Sequence, residues 1–162
     1  MGGVRRLGVT GDTQGHYDLE RLLDFFGGVF APVDEIWFAG DWQDERVLTG
    51  LMRLGKPLRV VRGNAPDDPR FPERLAHRVE GLEIGMVHRP PRASDPWLAS
   101  LDVVIHGHTH RWRDKQVGRC RFLNASTPTA AGFSREASVA ILTVDGRKAR
   151  FERVEVIRET AK

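Results

Sequence analysis

Four times along this chain a short apolar run ends in glycine followed at once by a polar side chain. The pairs are Gly11-Asp12 after residues 4–10, Gly40-Asp41 after residues 35–39, Gly63-Asn64 after residues 58–61 and Gly107-His108 after residues 103–106. Runs this short, apolar and bounded by glycine are read as buried strands. The glycine lets the backbone turn sharply and approach a neighbouring loop closely. Residues 18–26 carry Leu19, Leu22, Leu23 and Phe26 at helical spacing, with Gly27-Gly28 as the expected stop, and residues 45–54 form a second helix closed by Gly55. Strand, helix, strand, helix, strand in that order predicts a parallel layer with helices packed on it.

The second half is mostly strand. Residues 65–73, rich in proline and aspartate, form a loop. Residues 75–88 read as a hairpin turning near Gly81 and ending on His88, and residues 95–101 as a short helix with Asp95 as N-cap and Pro96 in its first turn. Strands are expected at 114–117, 121–124, 138–144 and 149–157, with Gly118 and Asp145-Gly146 as turns. In the last of these, Phe151, Val154 and Val156 are assigned to one inward face, with a break in register. The sum is two sheets packed face to face and flanked by helices, in a single domain covering residues 1–162.

The lone cysteine, Cys120, excludes an internal disulfide, so a reducing cytoplasm is expected, and a passive place on a strand suits it. No run is long enough to cross a bilayer, so no membrane partner is expected. The net charge of +3 admits an anionic substrate without demanding nucleic acid. Only Lys56, Lys115, Lys148 and Lys162 among the 25 basic residues are lysine, and guanidinium matches phosphate oxygens in two-pronged fashion. Trp97 and Trp112 are placed on the surface or in a contact between copies of the chain, which leaves a homo-oligomer open.

The polar residues at the strand tips make a mixed set of oxygen and nitrogen donors: Asp12, Asp41, Asn64, His88, and His108 with His110 in Gly107-His108-Thr109-His110. Taken singly, each is ordinarily a turn or capping residue. In series they suit Mn, Fe, Zn, Co or Ni better than Ca, and the absence of thiolates argues against a structural zinc site. Two ions about 3.5–4 Å apart would clamp the attacking and leaving oxygens of a phosphoryl group, and a bridging hydroxide would be the nucleophile.

In this order and on this chain length, Asp12-Thr13-Gln14, Gly40-Asp41, Gly63-Asn64, His88 and Gly107-His108-Thr109-His110 resemble the calcineurin-like metallophosphoesterase superfamily. The likeness is greatest to its small prokaryotic phosphodiesterase branch; Asn124-Ala125-Ser126 resembles the loop that follows there. The resemblance implies a four-layer α/β-β/α sandwich and two divalent metal ions, manganese among the candidates. It implies that Asp12 and His110 hold the first ion, that Asp41 bridges, and that Asn64, His88 and His108 hold the second. Asp41, Asn64 and His108 carry the catalytic work, and Asn64 also touches the phosphate. The substrate implied is a small phosphate diester. A phosphomonoesterase or nucleotide pyrophosphatase on the same site is the alternative, and a non-catalytic binding scaffold is a third reading.

Two departures from the family pattern matter. Gln14 stands where the family has a histidine ligand; an amide oxygen is a weaker donor, so the first ion is held less tightly. Ala65 follows Asn64 where other branches carry a histidine that assists the leaving group. Beyond the ligands, His16, Trp42 and Arg89 are assigned to substrate: His16 from a bent loop, Trp42 by stacking or else as a wedge between strand and helix, and Arg89 by gripping phosphate oxygens, with Arg92 and Arg111 of similar standing. His106 is read as the end of a buried strand and His77 as surface.

Overall fold

The fold was obtained as a computed structural model that describes residues 3–130 and 137–156. Strand β1 (Val4–Thr10) is followed by helix α1 (Leu19–Val29), β2 (Glu35–Phe38), α2 (Glu45–Met52) and β3 (Leu58–Val60). Then come β4 (Arg74–Val79), β5 (Leu82–Val87), a 3-10 turn (Pro96–Ser100), β6 (Val103–His106), β7 (Trp112–Val117), β8 (Cys120–Ala125), β9 (Ser138–Asp145) and β10 (Lys148–Glu155). They form two five-stranded sheets, ordered β10-β9-β1-β2-β3 and β4-β5-β6-β8-β7. In the first, β1, β2 and β3 run parallel; in the second, β5, β6 and β8 do. The carboxyl ends of these six strands are where a layered fold of this kind presents its polar loops.

Between the sheets lies the main core, with Leu7, Val9, Trp37, Ile84, Met86, Ile105, Leu123 and Leu142 all buried. The outer face of the first sheet is covered by α1 and α2 through Leu22, Phe26, Val47, Leu48 and Leu51. The outer face of the second is covered more thinly, by Leu98 and Leu101 of the 3-10 segment over Val104, Cys120 and Phe122. The architecture is thus two mixed sheets face to face with flanking helices, the fourth layer being a single 3-10 turn. No helix among the described residues is long and apolar enough to cross a membrane.

Two local expectations are corrected. Gly27-Gly28 does not stop α1, which runs on to Val29 with Phe30 as its C-cap. Each glycine inside a helix costs about 1 kcal/mol, but burying a phenylalanine returns about 1.5–3 kcal/mol. Continuing the helix stacks Phe30 on Phe26, with ring centroids 5.5 Å apart, and leaves Phe30 fully buried. Its ring lies over Gly8 of β1, where a Cβ would stand 2.6 Å from Phe30 Cδ1.

The second correction concerns β10, which pairs with β9 without a break from Lys148↔Asp145 to Glu155↔Ser138. Strand alternation then puts Phe151 and Val154 on opposite faces. Phe151 enters the core between the sheets, stacked on Trp112 at 4.5 Å, while Val154 packs toward the helical layer. The expected end of this strand, Ile157, lies outside the described residues.

Candidate metal centre

The loops that leave β1, β2, β3, β5 and β6 meet at one edge of the sandwich. Ligand atoms of Asp12, Asp41 and His88, three buried residues from three of those loops, lie within 4.8 Å of one another. His110 Nε2 stands 3.5 Å from Asp12 Oδ1, and the ring of His108 meets that of His88 edge-on with centroids 5.2 Å apart. The polypeptide is forced into this arrangement. Asp12, Asp41, His108 and His110 all have positive φ, at 54°, 58°, 71° and 59°. Non-glycine residues held there cost roughly 1–3 kcal/mol each, and such strain gathers at functional sites.

Each carboxylate is held from the backbone. Asp41 Oδ1 accepts from the amides of Asn64 at 2.6 Å and Ala65 at 2.8 Å, which leaves Oδ2 to face His88 Nε2 at 3.1 Å. This close approach of the β3 loop requires Gly63, since a Cβ there would collide with Asp41 Oδ1. Both oxygens of Asp12 accept from His108 N, at 3.3 and 3.2 Å, so the loop after β1 and the loop after β6 are tied across the two sheets.

His88 is oriented by its other ring nitrogen. Nδ1–H donates to the Ala39 carbonyl at 2.7 Å, so Nε2 carries the lone pair and is turned to Asp41. Fixing the tautomer through a carbonyl is how metal-binding histidines are ordinarily held. Among the described residues, neither the buried Nε2, whose 3.1 Å approach to Asp41 Oδ2 lacks hydrogen-bond alignment, nor the buried Oε1 of Gln14 has a well-formed hydrogen bond. Two buried carboxylates and a buried imidazole nitrogen packed this closely are a costly arrangement without a counter-charge, and a divalent cation would supply it. The donor set and its environment therefore fit a metal.

The electrostatics agree with a site crowded by acids. Burial works against protonating His88, yet the contacts with Asp41 and Asp12 outweigh it and raise its pKa. Burial also opposes ionisation of Asp41, but His88 and the amides of Ala65 and Asn64 hold its carboxyl below the usual range. His108 is displaced downward by desolvation and by the charges of His88 and Arg89. His106 is no ligand: burial takes it down to about 4, and as a neutral ring it donates from Nδ1 to Gly107 O and accepts at Nε2 from Arg113.

The remaining expected residues separate into three groups. Asn64 is exposed, with its side-chain Oδ1 taken by Arg89 Nε at 3.4 Å, and Arg89 lines the cavity beside His88. Trp42 is corrected. It is 1 % exposed and wedged edge-on between Phe38 and Phe71, so its ring offers no face to a ligand. His16 is exposed and lines a different cavity, with Tyr17, Phe25 and Pro128, because the loop turns outward after Gly15.

Several residues brace the site, and of these only Asn124 is marked by a motif, in Asn124-Ala125-Ser126. Asn124 Nδ2 donates to Gly107 O and Thr109 Oγ1, bracing the two-histidine loop from β8. Thr127 Oγ1 donates to Asp12 O at 2.7 Å and Thr129 Oγ1 to Gln14 O at 2.6 Å. Arg62, directly before Gly63-Asn64, lines the same cavity as Arg89; only its adjacency to the motif signals it.

Residues 6–147 match the family model of the calcineurin-like phosphoesterase superfamily domain. The chain belongs to that superfamily. A probable metallophosphoesterase of Methanothermobacter thermautotrophicus is 29% identical over 154 residues, 88% of this chain and 87% of the relative. Among solved structures, an archaeal phosphodiesterase superposes with a TM-score of 0.74 at 18% identity, covering 92% of this chain and 99% of that one. Vacuolar protein sorting 29 of Cryptosporidium parvum gives 0.73 at 21%, covering 94% and 97%. At those identities the two structures speak to the fold; the superfamily assignment makes the chain a metal-dependent phosphoester hydrolase, and the buried Asp12, Asp41 and His88 group is a candidate site for its metal.

Proposed function

We propose that this phosphoesterase is a phosphodiesterase that works with two divalent ions drawn from Mn, Fe, Zn, Co and Ni. Asp12, His110 and the amide oxygen of Gln14 would hold the first ion, Asp41 would bridge, and Asn64, His88 and His108 would hold the second. The observation that supports the reading is the buried Asp12, Asp41 and His88 cluster, whose ligand atoms lie within 4.8 Å of one another. When bound, such ions supply Lewis-acid polarisation of phosphoryl oxygens and a water acidic enough to deprotonate near neutral pH.

The chain's own residues do the rest. Asp41 has one oxygen engaged by two amides, which fixes the carboxylate with Oδ2 turned to His88, where it would help hold a metal. The Ala39 carbonyl keeps the proton of His88 on Nδ1 and Nε2 free to ligate. Asn64, steadied at the mouth by Arg89 Nε on its Oδ1, presents its amide hydrogens to a phosphoryl oxygen. Ala65 offers no proton to a leaving group, so esters of acidic alcohols and phenols turn over best.

The test compares bis(4-nitrophenyl) phosphate with 4-nitrophenyl phosphate on Mn-loaded protein. A diester preference in kcat/KM of about tenfold or more, ~1.4 kcal/mol in barrier, is expected. Equal rates, or a monoester preference, overturn the assignment in favour of a phosphomonoesterase. Gln14 is the one feature that favours a binding scaffold instead. Elemental analysis separates that reading: two ions per chain support the enzyme, and a stable fold that takes up none supports the scaffold.

A further inference from the structure

The cavity beside the metal centre holds two arginines, and it is larger than one phosphoryl group requires. It encloses about 450 Å³ and reaches from His88 and Asn64 to Arg62 and Arg89. Each guanidinium is tethered through Nε. Arg62 Nε donates to Phe71 O at 3.2 Å and lies 3.6 Å from Asp67 Oδ1; Arg89 Nε donates to Asn64 Oδ1 at 3.4 Å. A tether at Nε fixes the guanidinium and leaves its two Nη groups, which among the described residues have no hydrogen-bond partner in either arginine. Arg62 is anchored further by its own amide, which donates to Pro72 O at 2.7 Å.

The rest of the lining narrows the ligand. Among the described residues it has no aromatic side chain other than the His88 imidazole, so none of them offers a ring face to a base or an aryl group. Two carboxylates, Asp67 and Glu73, share the cavity, but both are exposed, Asp67 with 72 % of its side chain in solvent. Water and salt screen such charges. Paired guanidiniums carry two positive charges, which match a phosphate monoester with its charge of about −1.5 to −2 better than a carboxylate.

We infer that Arg62 and Arg89 form a second anion subsite for a terminal phosphate monoester lying a few bonds from the reacting phosphorus. The preferred substrates are then short diesters that carry such a phosphate. The inference rests on the phosphodiesterase reading and deepens it.

The experiment uses thymidylyl-thymidine with and without a 5′-phosphate, on the Mn-loaded wild type, Arg62→Gln, Arg89→Gln and the double variant. Wild type is expected to favour the phosphorylated dinucleotide by about tenfold or more in kcat/KM. Each single variant is expected to lower that ratio and the double variant to bring it near unity. Arg62→Lys, which keeps the charge but not the fork, should retain part of it. Equal rates on the two dinucleotides in wild type, or a preference that survives in the double variant, overturn the subsite.

Calorimetric binding of the same two dinucleotides supplies a readout free of turnover. If neither dinucleotide nor bis(4-nitrophenyl) phosphate is hydrolysed, the phosphodiesterase reading has failed. The subsite then stands or falls on whether the affinity gained from the 5′-phosphate is lost in the double variant.

Discussion

Strand β2 carries a buried carboxylate near each end, and the two are held in opposite ways. Glu35, at its start, is 2 % exposed and fully partnered: Trp37 Nε1 donates at 2.6 Å, Arg5 Nη2 at 3.0 Å and Arg59 Nε at 3.1 Å. Asp41, just past its end, is 3 % exposed, sits at a φ of 58°, and lies 3.1 Å from His88 Nε2 and close to a second buried acid, Asp12. A satisfied, unstrained buried charge belongs to the scaffold. A strained one crowded against a second acid and a histidine marks a candidate ligand site.

The largest expected effect tests the functional end. Asp41→Asn keeps the oxygen that accepts from Asn64 and Ala65 and gives His88 Nε2 an amide to accept from. Its thermal midpoint should stay within a few degrees of wild type. Activity on bis(4-nitrophenyl) phosphate should fall by about a thousandfold, ~4 kcal/mol in barrier. Retained activity would remove Asp41 from the centre; a collapsed melting temperature would make it a structural residue like Glu35.

Glu35→Gln should do the reverse. Removing one partner of a buried ion pair costs about 3–5 kcal/mol, and for a chain of this size each kcal/mol lowers the melting temperature by about 2–4 °C. Calorimetry is therefore expected to show a drop of roughly ten degrees. The kcat/KM per folded molecule at 20 °C should match wild type, because Glu35 lies at the end of β2 remote from the catalytic loops. A selective loss of activity would break the contrast between the two ends.

A smaller effect sharpens the description of the centre. Gln14→His replaces an amide oxygen by an imidazole at a loop position already pinned by Thr129 Oγ1 on its carbonyl. Affinity for Mn, read by competition with a fluorescent chelator, should rise by about tenfold, or 1.4 kcal/mol. Unchanged affinity would mean that the side chain takes no part in holding either ion.

How much of this was legible in the sequence follows the same division. The strand tips could be read because Gly-Asp, Gly-Asn and Gly-His pairs after apolar runs announce both the turn and the ligand. Asp12, Asp41 and His88 accordingly meet as the motif order implies. Glu35 gave no sign, since Arg5 and Arg59 are 30 and 24 residues away and their convergence is a product of strand register. The continuation of α1 past Gly27-Gly28 was hidden because it depends on Phe30 settling over Gly8 of another strand. Trp42 was ambiguous for a related reason: position next to a ligand does not say which way a ring turns, and burial against Phe71 decided it. Arg62 and the Thr127–Thr129 clamp escaped because side chains that brace or extend a site carry no spacing rule.

The smallest expected effect is a pH dependence with opposite signs at the two ends, measured on metal-free protein in chelator. Burial opposes ionisation of Glu35, but the donors Trp37, Arg59 and Arg5 hold its pKa below the ordinary 4.5. A depressed folded pKa contributes stability that is present above 4.5 and lost as pH falls through the folded value. His88 is raised above 6.5 by Asp41 and Asp12 against the cost of burial. Its contribution is complete below 6.5 and lost as pH rises through the folded value. Melting temperature should therefore decline on both limbs. Glu35→Gln should reduce the acid limb to the part that Asp41 contributes and leave the neutral one, and His88→Gln should flatten the decline above pH 6.5 and remove from the acid limb only the share that Asp41 owes to His88. Saturation with Mn should erase the neutral limb as well, since a cation held at Nε2 replaces the proton that His88 otherwise takes up. If His88→Gln leaves the neutral limb unchanged, the histidine is not poised against the two acids, and the distinction between the two ends of β2 loses its electrostatic basis.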